Sequence, residues 1–295
     1  MPNDKLKSYF HLHLIVFVWG FTAVLGKLIT LDALSLVWYR MLIAVSIIFF
    51  YIKLRKISLV LTKRMLVAFL ISGLVIALHW FTFFQAIKVS NISVTLACLS
   101  TGALFAAILE PVFYGKKIVL YEVLFGLLVV FGLGIIFKVE GNYVEGILLA
   151  LTSAFLSASF SVINGKFAKS NDAAVITFYE LLGGVGFFSI YLLFNGSFTT
   201  DFFKISMNDL LWLLVLGSVC TAYAFLASVK VMKFLTPYTV MLTINLEPIY
   251  GIILGVLVFK ESEKMSSEFY IGASIILATV VLNGIMKNYK KRKTN

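Results

Sequence analysis

Charged residues are scarce in this chain. Asp, Glu, Lys and Arg make up 13% of its 295 residues, whereas they make up about a quarter of an ordinary soluble domain. The composition therefore excludes a typical soluble protein. Apolar runs of about 20 residues recur instead, which is the length that an α-helix needs to cross a bilayer core of about 30 Å. These runs are continuous rather than alternating, so they are not the strands of a membrane β-barrel.

Cysteine and the common motifs of enzymes are also rare or missing. The two cysteines, Cys98 and Cys220, lie inside apolar runs without a Cys or His at ligand spacing. We therefore expect neither a metal site nor a disulfide framework. The sequence has no HExxH, GxSxG or P-loop motif, and the glycines of residues 183–186 follow no strand, so they are no nucleotide fingerprint. We expect no enzyme and no cofactor, and any uphill transport must draw on a gradient.

The apolar runs predict one polytopic membrane unit, an all-α protein with ten transmembrane helices. The first run follows Lys5 and Lys7, as in a signal peptide, but it continues to about Leu31 without a clear cleavage site, which favours a retained first helix. Proline, glycine and clusters of charge mark the ends of the other spans. The predicted spans are residues 12–30, 34–52, 65–87, 92–113, 118–137, 145–165, 173–194, 209–229, 236–259 and 268–286.

The positions of the cations predict that both termini are cytoplasmic. With this orientation, eighteen of the 25 Lys and Arg residues lie in inside segments and five lie outside, as the positive-inside rule requires. The inside group includes Lys116 and Lys117, between the fourth and fifth spans, and the basic tail at residues 287–293. Topology thus explains the formal charge of +11 without a nucleic-acid partner. The tail is either a solvated anchor of the last helix or a site for anionic lipid.

Two pairs of similar segments indicate an internal repeat. The segment WGFTAVLGKLITLDALSLVWYRMLIA resembles SFSVINGKFAKSNDAAVITFYELLGG, and GALFAAILEPVFYGKK resembles EPIYGIILGVLVFKES, which aligns Gly102 with Pro248. Both pairs divide the chain into residues 1–140 and 141–295, each with five predicted spans. Because five is odd, the two halves must insert with opposite orientation. Inverted repeats are a recurring plan of secondary transporters, although a purely structural duplication would leave the same pattern.

The stretch TINLEPIYG, residues 243–251, places polar residues and a proline in the middle of the ninth predicted span. A charged group there, such as Glu247, costs about 2.5–3.5 kcal/mol to insert and should face protein or water. Pro248 donates no backbone hydrogen bond and frees a carbonyl one turn earlier. Together with Asn245, these residues indicate either a broken segment that lines a pathway, with Glu247 in contact with substrate or a proton, or a kink sealed by neighbouring helices.

Other polar and aromatic side chains lie within the predicted spans. Arg40 either extends towards the interface or faces a cavity, where it would suit a carboxylate or phosphate or pair with the carboxylate of the ninth span. Glu180 is the repeat counterpart of Arg40 and either gates a pathway or holds a lysine of a loop. His79 either exchanges a proton or packs in the bundle next to Trp80, and Trp19 is either a cavity wall or packing.

Small residues recur at helical spacing on two predicted helices. Such faces let helices approach closely in lipid, and they favour either packing within the chain or a homodimer. The residues are Gly146, Ala150, Ala154 and Ala158 on the sixth span, and Gly251 and Gly255 on the ninth.

Several of these features, taken in order, resemble a known family. They are Trp19-Gly20 and Gly26-Lys27 in the first span, Tyr39-Arg40 in the second, and Asn245-Leu246-Glu247-Pro248 followed by Phe259-Lys260-Glu261 in the ninth. The order is similar to that of the EamA-type branch of the drug/metabolite transporter superfamily, over essentially the whole chain. The resemblance implies a ten-helix carrier with cytoplasmic termini, built from two inverted five-helix repeats, that exports amino acids or other small metabolites across a bacterial inner membrane.

The resemblance also implies which residues line the transport pathway. In such carriers the first four helices of each half surround a central cavity, while the fifth and tenth are more peripheral. The loop residue Glu261 looks like a family glutamate and is expected to be structural. The two halves differ, because Gly102 stands where the second half has Pro248, and Gly115 stands where it has Glu261. The candidate lining residues are Trp19, Arg40, His79, Trp80, Glu180, Tyr223, Asn245 and Glu247.

The sequence therefore predicts a secondary transporter that works by alternating access. Helices that break near Gly102 and Pro248 would flex around a midplane cavity, where Glu247 and Arg40 set the polarity and aromatic residues form the walls. Such a cavity suits a zwitterionic small molecule with an apolar side chain, and its passage across the bilayer would be coupled to a proton or a counter-solute. The alternative is a non-transporting receptor or scaffold that retains a carrier fold. That alternative predicts that replacing Glu247 or Arg40 affects folding alone.

Overall fold

The part of the chain that the structure describes, residues 2–115 and 120–293, folds into helices without a β-strand. The structure is a computed structural model, and Lys116 and Lys117 of the expected inside group fall outside the described residues. Two short 3-10 turns, at Gly141–Tyr143 and Lys260–Glu263, and a π-helical turn at Ser218–Tyr223 lie between α-helices. The α-helices are α1 (Pro2–Leu28), α2 (Ala33–Arg55), α3 (Lys63–Val89), α4 (Ile92–Leu99), α5 (Gly102–Tyr114), α6 (Leu120–Val139), α7 (Val144–Phe167), α8 (Ala173–Phe194), α9 (Met207–Gly217), α10 (Ala224–Val231), α11 (Pro237–Ile244), α12 (Glu247–Phe259) and α13 (Ser267–Lys293).

Short polar side chains explain where many of these helices begin. Such a residue, just before a helix, accepts hydrogen bonds from the free N–H groups of the first turn. Asp32, for example, accepts from the N–H groups of Leu34 and Ser35 at 2.9 and 3.0 Å. The same kind of cap precedes five other helices, at Thr62, Asn91, Asp172, Ser206 and Thr236. Many helix starts are therefore local properties of the sequence.

Eight stretches of the described residues are long and apolar enough to cross a membrane, judged by length and composition. They correspond to eight of the ten predicted spans and support a multi-pass membrane protein. The other two predicted spans, residues 118–137 and 268–286, correspond to α6 and α13, and residues 118–119 lie outside the described part. The apolar portions of these helices are shorter, at Leu124–Lys138 and Ser267–Asn283. The count of ten spans stays a prediction.

The helices in three predicted spans are interrupted. The fourth span is divided so that α5 begins at Gly102, and the ninth so that α12 begins at Glu247, with Pro248 in its first turn. The hydroxyls of Ser100 and Thr101 bond to carbonyls three residues earlier, which competes with continuation of the helix. Proline is tolerated in a first turn because its missing N–H would have no helical partner there. The π-helical turn in the eighth span was not predicted from the sequence.

Polar contacts group the loops at two ends of the bundle. We call one the outer end, because the cations predict that it faces away from the cytoplasm, and it holds the α1–α2, α3–α4, α8–α9 and α12–α13 loops. There the Asp209 carboxylate accepts hydrogen bonds from the backbone N–H and the hydroxyl of Thr30, both at 2.7 Å. The opposite or inner end holds the α2–α3, α7–α8 and α10–α11 loops. There the Glu110 carboxylate accepts from the Tyr238 N–H at 3.0 Å.

Glycines allow α3 and α8 to touch through their backbones. A methyl group added at Gly73 of α3 would collide with the carbonyl oxygen of Glu180, and one added at Gly183 of α8 would lie 2.7 Å from a carbonyl oxygen of α3. At this separation the two helices cannot slide past one another without a clash. They form a rigid pair beside the centre of the bundle.

The two small-residue faces predicted from the sequence pack within the chain. Gly146 faces α3 and Gly251 faces α4, so neither face is free to form the interface of a homodimer. The helices α6 and α13 pack mainly against each other, with their closest approach at Gly132 and Gly272. The remaining helices therefore surround the centre of the bundle.

Candidate functional site

A central cavity lies where helices from both halves of the chain meet. Its volume is about 50 Å³, whereas one water molecule needs at least about 10–15 Å³. Five of the eight predicted pathway residues line it: Trp19, Arg40, His79, Trp80 and Glu247. Sequence reasoning did not single out the other polar and aromatic lining residues, which include Thr22, Phe83, Ser157, Phe160, Ser161 and Phe225.

Arg40 is held in the cavity wall by contacts with two other helices and is only 1% exposed. Its Nε donates to the Thr221 hydroxyl at 2.6 Å, and its guanidinium carbon lies 4.0 Å from the centre of the Trp80 ring. The π-helical turn supplies the first contact, because the Thr221 hydroxyl donates in turn to the Leu216 carbonyl, five residues earlier. Arg40 Nη1 is buried without a hydrogen-bond partner among the described residues. Buried N–H groups normally have partners, so Nη1 is available to an anionic ligand.

Glu247 is buried at the first position of α12. Its carboxylate makes no hydrogen bond or ion pair with any residue that the structure describes, and this includes Arg40 on the same cavity. The position at a helix start places the carboxylate at the positive end of the α12 dipole, which stabilises a negative charge. A basic group and an acidic group thus line one cavity without forming an ion pair.

His79 presents a hydrogen-bond acceptor to the cavity. Its Nδ1 lies 2.9 Å from the carbonyl oxygen of Ser153 and 2.8 Å from the Ser153 hydroxyl. A carbonyl oxygen can only accept, so Nδ1 carries a proton, and the Ser153 hydroxyl donates to the His79 carbonyl at 3.0 Å. In the neutral ring Nε2 is then an acceptor. No described residue bonds to Nε2.

Aromatic rings form much of the remaining wall. Trp19 is fixed by a hydrogen bond from its Nε1–H to the Cys220 carbonyl at 3.0 Å. Trp80 and Phe160 both pack edge-on against Phe225, with ring centres 5.6 and 6.1 Å apart. The charged groups of the cavity therefore lie beside a broad apolar surface. Among the described residues, no group of three or more His, Cys, Asp or Glu side chains is placed to hold a metal ion.

Two of the predicted pathway residues are buried away from this cavity. Glu180 lies between α3, α7 and α8, where it contacts Ser72 and Asn164 and not the loop lysine that one interpretation expected. Asn245 is buried at the break between α11 and α12, and its Nδ2 has no partner among the described residues. The partners of Glu180 carried no signal in the sequence, because single Ser and Asn residues are common in apolar spans.

Tyr223 lines a separate crevice of about 350 Å³ near the inner end. Its hydroxyl lies 2.9 Å from Nε2 of His11, and its side chain is exposed. Lys230 and Lys233, at the end of α10, line the same crevice. Tyr223, the last residue of the π-helical turn, thus lines this crevice and not the central cavity.

The outer end of the bundle is closed around Glu263 rather than Glu261. The Glu261 side chain is 81% exposed and pairs with a neighbouring lysine, so the structural role expected of it belongs to Glu263. Glu263 is fully buried and accepts from the N–H groups of Ile92 and Ser93 at 3.1 and 3.0 Å, and from Lys27 Nζ at 2.6 Å. It therefore joins α1, the start of α4 and the segment after α12.

Comparisons with known proteins agree with this architecture. The sequence profile of the EamA-like transporter family matches residues 6–138 and again residues 144–285. A solved crystal structure of a protein has a similar fold, with a TM-score of 0.69 and 16% sequence identity over 93% of this chain and 97% of that chain. At this identity the structural likeness concerns the fold alone. No curated protein matches the sequence at a significant level.

Proposed function

Because the chain belongs to the EamA-like transporter family, as its sequence predicted, we propose that it is a secondary transporter that exports amino acids or other small metabolites by alternating access. We propose the bacterial inner membrane as its location, with both termini in the cytoplasm. The two matched segments support a division into halves 1–140 and 141–295 of opposite orientation. The excess of Lys and Arg in the predicted inside segments supports the orientation.

The observation that carries this proposal is the presence of a basic group and an acidic group in one cavity, neither of which has a hydrogen-bond partner at its free atoms. Neither Arg40 Nη1 nor the Glu247 carboxylate has a hydrogen-bond partner among the described residues. An α-amino acid supplies what each lacks, because its carboxylate suits the guanidinium and its ammonium group suits the carboxylate. Nε2 of His79 can accept a further N–H group. The aromatic walls at Trp19 and Trp80 favour an apolar side chain over a charged one.

Transport through this cavity requires the helices to move. Ligand sites commonly measure about 300–1,000 Å³, and the cavity in this conformation is about 50 Å³. The breaks before Gly102 and Glu247 supply flexible points on two helices at the cavity, with Asn245 at the second break. The outer end is closed by Glu263 and its partners, so we assign this conformation to an outer-closed state. The crevice beside Tyr223 would provide the approach from the cytoplasm.

The test compares export from cells loaded with a mixture of amino acids and dipeptides. Untargeted mass spectrometry of the medium is performed for the wild type, Glu247→Gln, Glu261→Gln and an empty vector, at matched and verified membrane levels. Glu261→Gln is the matched control, because it makes the same chemical change on an exposed loop. A charge-assisted hydrogen bond contributes roughly 1.5–3 kcal/mol, so we expect Glu247→Gln to lower export of the transported solute by about tenfold or more. The wild type and Glu261→Gln should export it equally.

Two results would change this conclusion. If no solute is enriched over the empty vector, and the purified protein exchanges none of the mixture in proteoliposomes, the transport function is refuted and a receptor or scaffold remains. If Glu247→Gln exports as well as the wild type, transport stands and Glu247 is removed from the substrate site.

A further inference from the structure

Glu180 is a buried carboxyl group that lies outside the central cavity. Its side chain is 0% exposed. The Ser72 hydroxyl donates to Oε1 at 2.7 Å, and Asn164 Nδ2 lies 3.2 Å from Oε2. No Lys, Arg or His side chain of the described residues forms an ion pair with it within 4.0 Å. An isolated buried charge is strongly disfavoured unless a counter-charge compensates it, so burial without an ion pair favours the neutral acid at this position.

Titratable groups on the surrounding helices are directed away from this carboxyl group. Lys166 of α7 donates to a carbonyl of α5, and Lys169, just after α7, lies over an aromatic ring of α5. On α3, His79 is bonded to α7, and on α2, Arg40 lies in the central cavity. On α8 itself, the Tyr179 hydroxyl donates to a carbonyl of the α2–α3 loop at 2.9 Å. Lys230 of α10, which also packs against α8, lines the inner crevice. None of these groups bonds to Glu180.

The same side chains can hydrogen-bond Glu180 in either protonation state. As a carboxylate it accepts from Ser72 and from Asn164 Nδ2. As an acid it accepts from Ser72 and donates from Oε2 to Asn164 Oδ1, once the amide has turned over. In the described part of the chain, Asn164 Oδ1 is a buried atom without a hydrogen-bond partner. Both protonation states of Glu180 can thus be hydrogen-bonded without a change in the backbone.

One face of α7 connects the pocket to the central cavity. Ser157 and Ser161 line the cavity, and Asn164 follows Ser161 by three residues, which is about 4.5 Å along the helix axis. Ser72 and Glu180 belong to the rigid pair of α3 and α8. α7 is also bonded to α3 through His79 and Ser153, which lies 11 residues before Asn164. A tilt of α7 about this contact would separate Asn164 from Glu180 while the Ser72 contact remains.

We propose that Glu180 is the site that binds the coupling proton of this carrier, and that α7 links its occupancy to solute binding in the central cavity. The inference rests on the proposed transport function and deepens it, because it names the energy source as an inward proton gradient. One proton binds to Glu180 when the cavity opens outward and leaves to the cytoplasm when it opens inward. One solute moves in the opposite direction. Because an amino acid zwitterion has no net charge, each cycle also carries one positive charge inward, so the membrane potential drives it together with the pH gradient.

The experiment uses the full-length protein in proteoliposomes, with an isotopically labelled mixture of amino acids as the probe. Exchange of labelled for unlabelled solute at equal pH requires no net proton movement, whereas accumulation driven by a pH gradient does. For one proton per zwitterionic solute, a gradient of one pH unit sustains about tenfold accumulation when the membrane potential is held at zero with equal potassium on both sides and a potassium ionophore. Glu180→Gln keeps the size of the acid and cannot release a proton. We expect its accumulation ratio to fall to about 1, while exchange at saturating solute persists and no longer changes with pH.

Control variants and a separate readout make the outcomes distinct. Glu261→Gln should behave as the wild type, and Glu180→Asp, which keeps a carboxyl group, should restore part of the accumulation. Infrared spectroscopy without solute should show the C=O band of a buried carboxylic acid at neutral pH in the wild type, and this band should be missing in Glu180→Gln. Absence of the band in the wild type would overturn the proposal.

The transport results separate this proposal from the proposed function. If the wild type exchanges solute but does not accumulate it in a pH gradient, Glu180 is not a coupling site and the transport function stands. The same conclusion follows if Glu180→Gln accumulates solute as well as the wild type does. If the wild type exchanges nothing, the transport function fails and the coupling role of Glu180 fails with it.

Discussion

The two glutamates after α12 offer a sharp comparison, because Glu263→Gln and Glu261→Gln make the same change two residues apart. Glu263 is fully buried, whereas the Glu261 side chain is 81% exposed. In Glu263, Oε1 accepts from Lys27 Nζ and the Ile92 N–H, and Oε2 accepts from the N–H and the hydroxyl of Ser93. Gln keeps one acceptor and places an NH₂ group where the other oxygen met only donors.

These contacts set the expected loss of stability in each variant. A hydrogen bond to a charged group contributes roughly 1.5–3 kcal/mol, and a helix cap contributes about 1 kcal/mol. Glu263→Gln loses the charge, part of the cap on α4 and at least one of the charge-assisted bonds, so we expect a destabilisation of about 3 kcal/mol. Glu261→Gln removes an exposed ion pair, and such pairs contribute about 0–1 kcal/mol.

Thermal stability of the two variants in detergent micelles provides the assay. The fraction of protein that remains monodisperse after heating is measured by size-exclusion chromatography. At about 2–4 °C per kcal/mol, Glu263→Gln should lower the apparent Tm by about 6–12 °C, and Glu261→Gln by no more than about 4 °C. Equal shifts in the two variants would refute the role of Glu263 in closing the outer end.

Two further predictions concern the cavity and the helix pair beside it. Arg40→Lys removes a planar group that lies 4.0 Å from the centre of the Trp80 ring. Such a contact contributes about 2 kcal/mol when it is desolvated, so the solute concentration for half-maximal exchange in proteoliposomes should rise about tenfold or more. The exposed Arg64→Lys is its control, and equal curves for the two would contradict the cavity role. Gly73→Ala forces a methyl group against a backbone carbonyl of α8 and should lower the free energy of unfolding by about 1–3 kcal/mol. In the control Gly186→Ala, the added methyl group meets open space, and the free energy of unfolding should rise by up to about 1 kcal/mol. A stable Gly73→Ala protein would mean that α3 and α8 do not form a rigid pair.

Much of the fold follows from patterns within single segments. The apolar runs and caps such as Asp32 locate the helices, because they act within a few residues along the chain. The order of motifs around Trp19, Arg40 and Glu247 predicted the EamA-type family, and the match to the sequence profile of that family confirms the prediction. The π-helical turn at Thr221 had no comparable signal. Its hydroxyl bonds to Arg40 across 181 positions of sequence, and no local pattern records such a contact.

The sequence by itself determined that Arg40, Glu180 and Glu247 are polar groups within apolar spans, because the cost of inserting a charge depends on its depth along one helix. Only the tertiary structure decided that Arg40 and Glu247 line one cavity, while Glu180 lies in another pocket with Ser72 and Asn164. The three residues look alike in the sequence because each interrupts an apolar run. Their neighbours depend on the rotation of each helix about its axis and on partners as distant as 181 positions, and the packing of the whole bundle sets both.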